Sequence, residues 1–165
     1  MDPHTDPDRD RHVVEAASNA LAAMHAGAED DAAERVTETF RANPASAADA
    51  QEIMLLLFRE CSTMVAALGS GGTAPVKMQV YDNDGQEVPI DEADPPVRTA
   101  VRTLLAEVHG DTEAAKTHIE IALANAAPDE MVTLMVQALR WTIRLSAECG
   151  SRDLPVPEWI RAALS

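Results

Sequence analysis

The sequence predicts an all-α fold: two pseudo-repeated three-helix units packed as one helical bundle, with a β-hairpin inserted at about residues 76–90. Three observations predict it. The first is an internal repeat. Gly27 is followed by Ala32, Val36 and Phe40, and Gly110 by Ala115, Ile119 and Leu123 at the same offsets. Such self-similarity decides architecture ahead of other signals. The second is that each copy leads into a long apolar segment, 46–68 and 128–149. The third is a change of period. Val76, Met78 and Val80 alternate with polar residues, as do Val88 and Ile90, which is a strand signature.

Length and charge bound the rest. A chain of 165 residues fits one domain, able to bury roughly 70% of its unfolded surface. Only 3% of residues are aromatic, so the core must come from Ala, Leu, Val, Ile and Met, which favours close helix packing. The net charge of −15 argues against nucleic acid and anionic membrane as partners. Cys61 and Cys149 lack CxxC spacing and sit in apolar helical patterns. They read as buried free thiols of a reducing compartment. MDPHTDPDRDRH at the start has no apolar signal region, so the expectation is a cytoplasmic protein. The apolar run at 54–58 is far shorter than the roughly 20 residues of a membrane span.

The elements follow in order. Residues 1–10 carry four Asp and two Pro and are expected to be a disordered acidic tail ahead of a helical domain over 11–165. A first helix over about 11–26 places Val14, Ala17, Leu21 and Met24 on one face, with Gly27 just past its end. A second, about 29–42, opens on Glu29, Asp30 and Asp31, where the helix dipole favours negative charge, and stops at Pro44. The third, about 46–68, is the apolar centre. Ile53, Leu56, Leu57, Met64 and Leu68 form its stripe; Met54, Leu55, Phe58 and Val65 widen it; Glu52, Arg59 and Thr63 mark a narrow wet strip. A helix this apolar is buried on most sides. These three elements make the first repeat, 11–68.

Residues 69–94 form a linker and the hairpin. LGSGGTAP at 68–75 is a flexible connector. Asp82-Asn83-Asp84-Gly85 reads as a hairpin turn, and Pro89 confines the second strand to an edge. The second repeat spans 95–149. Asp94 is expected to cap its first helix, with Pro95 in the first turn. Val97, Val101, Leu104, Leu105 and Val108 give the core stripe to residue 109. Gly110 ends that helix and Asp111 caps the next, to about 125. Pro128 opens the last long helix, with Thr133, Gln137, Arg140 and Arg144 as its solvent stripe. A terminal helix at 155–164 should dock through Trp159, Ile160 and Leu164.

Within the second copy, Gly110-Asp111, Ala115, Ile119, Ala122, Leu123 and Pro128 resemble a tetratricopeptide hairpin. Gly27, Ala32, Val36, Phe40 and Pro44 match it in spacing. The preceding segments depart from that family's aromatic and Leu-Gly pattern, and two units fall short of the three or so an open solenoid needs. The physical reading is a closed pair of units about a pseudo-dyad, in which segments 46–68 and 128–149 pack as a shared core.

Several residues invite chemistry. His25 and His109 end equivalent helices, where a histidine favours the negative dipole end. No His-x3-His, HExxH or Glu-x-x-His spacing accompanies them, so no metal or cofactor is expected. The Asp82–Gly85 turn lacks EF-hand spacing. GxSxG, P-loop and GxGxxG motifs are absent from the sequence. His118 lies among small residues on the inward flank of its helix. With Trp141 and Arg140 it forms the candidate ligand pocket, between the two long apolar helices. Val76, Met78, Val80, Val88 and Ile90 form the candidate interface. A lone hairpin is marginal in water, so they must cover the helices or pair in a homodimer.

The function the sequence supports first is a non-catalytic acidic helical interaction or assembly module that binds a protein partner of basic character. Second is a small-molecule-binding regulatory protein. An enzyme without recognisable motif comes third.

Overall fold

The computed structural model describes residues 7–26, 44–69, 80–81, 86–89, 92–125 and 128–165. Among these the architecture is helical: α1 (Pro7–His25), α2 (Pro44–Leu68), α3 (Pro95–Val108), α4 (Thr112–Asn125), α5 (Pro128–Ser151) and α6 (Glu158–Ala163). Short strands β1 (Val80–Tyr81) and β2 (Glu87–Val88) pair antiparallel, with Val80 opposite Val88 and Tyr81 opposite Glu87. The helix expected over 29–42, with the Gly27 turn, lies outside the described residues. So do Val76, Met78, Ile90 and the Asp82–Gly85 turn.

Proline sets several helix starts. Pro7, Pro44, Pro95 and Pro128 each begin a helix, where the missing N–H would have had no intrahelical acceptor. This corrects the expected tail. Helix α1 begins at Pro7 rather than near residue 11, so residues 7–10 belong to its first turn. Asp94 stands at the N-cap of α3, but its side chain makes no capping hydrogen bond. Asp111 does cap α4: its Oδ1 accepts the Ala114 N–H at 3.0 Å.

Two helix ends share one device. At the end of α3, Gly110 has φ +79°. The Asp111 N–H donates to Ala106 O at 2.8 Å and the Gly110 N–H to Glu107 O at 3.0 Å. At the end of α5, Asp153 takes the left-handed position, with φ 56°. The Leu154 N–H donates to Cys149 O at 2.8 Å and the Asp153 N–H to Gly150 O at 3.3 Å. Both are Schellman turns, which return the chain sharply and satisfy terminal carbonyls. The second lets α6 fold back, where Ile160 is fully buried and Trp159 and Leu164 pack against the core.

One buried apolar cluster draws on all six helices. Its centre is the seam between α2 and α5, the most extensive interhelix contact. Phe58 meets Trp141 edge to face, ring centroids 6.3 Å apart. Cys61 Sγ lies 3.3 Å from Thr142 Oγ1, and Cys149 Sγ is 3.9 Å from Met64 O. These contacts advance together along both helices, so α2 and α5 run parallel. Helix α1 packs on α2, α5 and α6; α3 packs on α2, α4 and α5.

The buried face of α3 is broader than the expected stripe. Ala100, Val101, Thr103, Leu104 and Glu107 are buried, while Leu105 and Val108 are only partly so. The cause is packing on three neighbours, which rotates the covered arc past Leu104 toward Thr103 and Glu107.

Candidate functional site

Three helical faces converge on one cleft. On α3, Pro95, Arg98, Thr99 and Arg102 recur at three- and four-residue steps and share a side. On α4, His118, Ile121, Ala122 and Asn125 do the same. Glu130 and Leu134, one turn apart, add the start of α5. The cleft they line has a volume of about 350 Å³, within the size range of small-ligand sites. Its walls are mainly apolar, from prolines, Ile121, Ala122 and Leu134. Its charges are two guanidinium groups and one carboxylate. Arg98, Arg102 and Glu130 each also interact within the protein.

Ile121 is unusual in this setting. It is 56% exposed, the large apolar side chain that stands mostly in solvent among the described residues. It lies on the cleft side of α4, while Ala115 and Ile119 face the core.

The structure separates the residues of the sequence-based pocket. His118 is partly buried and lines the α3–α4–α5 cleft. Arg140 is exposed and lines a smaller cleft of about 240 Å³ with Met24, His25, Ile143 and Arg144. Trp141 packs on Phe58 in the seam. Arg140 thus lines a surface cleft while Trp141 packs into the seam, and neither lines the cleft that holds His118. Of the candidate interface, Val80 and Val88 pair across the strands, and Val88 is half-buried. Val76, Met78 and Ile90 lie outside the described residues.

His25 ends α1 and His109 is the C-cap of α3; both are exposed. Among the described residues, no group of three or more His, Cys, Asp or Glu side chains could hold a metal ion.

Among the described residues, three titratable groups are perturbed, each of them first by burial. Burial pushes the Cys61 thiol up to about 12, with Glu60 adding to the shift and the Thr142 hydrogen bond opposing it. Burial raises Cys149 as well; Arg152 pulls it down and Glu148 pushes it up. Such thiols are poor nucleophiles at neutral pH. Glu107 is 8% exposed, its Oε1 has no hydrogen-bond partner, and burial raises its pKa against the pull of Arg59. The buried threonines avoid that predicament by bonding one turn back. Thr103 donates to Thr99 O at 2.7 Å and Thr142 to Ala138 O at 2.8 Å.

Of the residues of the sequence-based pocket, His118 lines this cleft; Arg98, Arg102 and Ile121 were not among them. The signal was present. An Arg pair four residues apart flanks the α3 stripe, and Ile121 stands out of phase with Ala115, Ile119 and Ala122. No helix among the described residues is long and apolar enough to cross a membrane. The chain matches no protein-family model, no curated protein and no solved structure.

Proposed function

We propose that the protein is a non-catalytic acidic helical module that binds a basic protein partner through its surface. The observation that carries this reading is the filled α2–α5 seam. Phe58, Trp141, Cys61 and Thr142 occupy the space where a ligand between the long helices would sit. Chemistry is then left to the outside, where a net charge of −15 favours a cationic partner. Two free buried cysteines support a reducing, cytoplasmic setting.

The module is a duplicated unit closed on itself. Buried positions support this. Ala17, Leu21 and Met24 on α1 recur 83 residues later as Ala100, Leu104 and Glu107 on α3, the same step that relates Gly27 to Gly110. Ile53, Met54, Leu57, Phe58 and Cys61 on α2 correspond on α5 to Leu134, Met135, Ala138, Leu139 and Thr142, all buried. The separation there is 81 residues, as between Cys61 and Thr142. A second copy two residues shorter between its second and third helices accounts for the change. Equivalent positions that touch each other, as Cys61 and Thr142 do, are what a pseudo-dyad running along the seam would produce. The inserted hairpin offers its edge to a second copy, forming a homodimer.

The test is capture of partners from the native host on the tagged full chain, at stepped salt, identified by mass spectrometry. The expected result is a basic protein held at about 0.1 M salt and released near 1 M, as the screening length falls from about 10 to 3 Å. Retention that ignores salt, or capture of no protein, overturns the reading.

A further inference from the structure

We infer that α6 is an exchangeable arm: it docks on its own bundle in the single chain, and on a second copy of the chain in a domain-swapped dimer. Neither the hairpin contact nor the basic partner is needed for this exchange. Three observations carry it.

The first is that α6 has no stability of its own. Its six residues are far fewer than the roughly 12–15 an isolated helix needs. Everything that holds it comes from the rest of the bundle. It packs on α1. Ile160 is fully buried, and Trp159, Ala163 and Leu164 pack partly buried on the core. Leu154 and Val156 join them from the connector. The Trp159 Nε1–H reaches Glu60 Oε2 on α2 at 3.1 Å. A site that fits this segment from one copy fits it from another, because the sequences are identical. Exchange keeps every one of these contacts and changes only the connector.

The second is the pivot. The return of the chain after α5 rests on Asp153, with φ 56°. A residue with a Cβ adopts that left-handed value at a cost, and glycine adopts it freely. Two hydrogen bonds close the turn, from the Asp153 N–H to Gly150 O at 3.3 Å and from the Leu154 N–H to Cys149 O at 2.8 Å. Ser151, Arg152 and Asp153 are exposed, so water replaces these partners when the turn opens. Opening therefore relieves the φ of Asp153 and leaves few polar groups unsatisfied. A short hinge under strain invites exchange.

The third is the stiffness of the arm beyond the pivot. Leu154 and Val156 each precede a proline, which holds them extended. Pro157 has φ −50° and ψ 136°, the polyproline conformation. A change at residues 152–153 thus swings α6 as a unit, off its own bundle and toward a copy whose α5 end lies alongside. At that end Arg152 and Glu148 pair at 3.7 Å, so both signs of charge are present where the two copies meet.

The test uses the full chain. A deuterated, 15N-labelled copy and an unlabelled copy are unfolded, mixed and refolded together at about 1 mM, where mass action favours a dimer, at about 0.15 M salt to screen the net charge. A cross-relaxation signal from the Trp159 indole N–H to the side-chain protons of Glu60 then arises only between copies. Asp153→Pro fixes φ at about −65° and forbids the return turn. It should give that signal at full strength, in a particle at least dimeric by light scattering. The wild type should give it in part, and Asp153→Gly severalfold less than the wild type. The signal separates arm exchange from any dimer formed by the hairpin alone. The inference is overturned if folded Asp153→Pro lacks the signal, whether its α6 is docked or free. It is equally overturned if Asp153→Gly exchanges as fully as the wild type. Should Asp153→Pro fail to fold, the wild type decides: its inter-copy signal upholds the exchange, and absence of that signal ends it.

Discussion

Glu107 shows most directly how one residue can work against its fold. It lies one turn beyond Leu104 on a covered face. Its ordinary pKa is 4.5 and burial raises it in the folded chain. The fold therefore favours the protonated acid. The contribution of the group to stability is full below 4.5 and is lost as pH rises through the folded value. Glu107→Met should stabilise the protein at pH 7.5 by about 1–3 kcal/mol, the scale of an unsatisfied buried polar group. The gain should shrink at about pH 4, below the ordinary value of 4.5. Urea unfolding at the two pH values checks this, and a gain of the same size at both would show that ionisation of Glu107 is not its source. The cysteines make a second case. With Cys61 held near 12 and Cys149 raised, neither thiol should react with a disulfide reagent in the native protein at pH 7.5, and both should react in guanidinium. Rapid native labelling of either would mean that the seam opens. Burial of both cysteines is readable from the sequence, since they sit in apolar helical runs. Burial of Glu107 is not, because a charged residue beside a stripe is normally its wet edge.

At the level of elements, α6 tests how a short helix is held. Six residues cannot stabilise themselves as an isolated helix. Ile160 anchors α6 in the core, and the Trp159 Nε1–H donates to Glu60 Oε2 on α2 at 3.1 Å. Trp159→Phe keeps most of the ring contact and removes the donor; it should cost about 1 kcal/mol. Ile160→Ala should cost about 2–5 kcal/mol, through lost burial and the cavity left behind. Chemical denaturation measures both. If Trp159→Phe proves the costlier of the two, the hydrogen bond to Glu60, and not the Ile160 anchor, holds the helix. The presence of α6 and its docking residues are legible from Pro155, Pro157 and the apolar spacing that follows. The sharp reversal into it is not. It depends on Asp153 taking a left-handed φ of 56°, a position where glycine would be the expected signal.

For the whole molecule, the open question of assembly rests on the strand pair. Val80 faces Val88 across an antiparallel register, and an unpaired strand edge is a template for another chain. In the proposed homodimer, light scattering on the wild type should report a dimer at micromolar concentration. Val80→Asp should yield a folded monomer. A monomeric wild type ends the idea, and a dimer of unchanged stability in the variant removes the hairpin from the interface. Unfolding of the variant as a monomer would instead make the hairpin a lid on the core.

Hydrophobic periodicity and turn chemistry are local, so the sequence by itself determined the helices seen among the described residues, many of their ends and most of their core positions. The wide apolar arc of 46–68, Asp111 as a cap and Gly110 as a left-handed stop could all be read without coordinates. Which helix faces meet is a matter of interhelix rotation, and one residue on a helix turns a side chain by about 100°. The tertiary structure alone decided that α3 is covered on three sides, burying Glu107. It parted His118, Arg140 and Trp141, which lie on different surfaces of the bundle. It also brought Arg98 and Arg102 of α3 to Ile121 of α4 and Leu134 of α5. No local pattern encodes that convergence, because each of the three faces has ordinary spacing on its own and becomes one wall of a cleft only through the angles at which the helices pack.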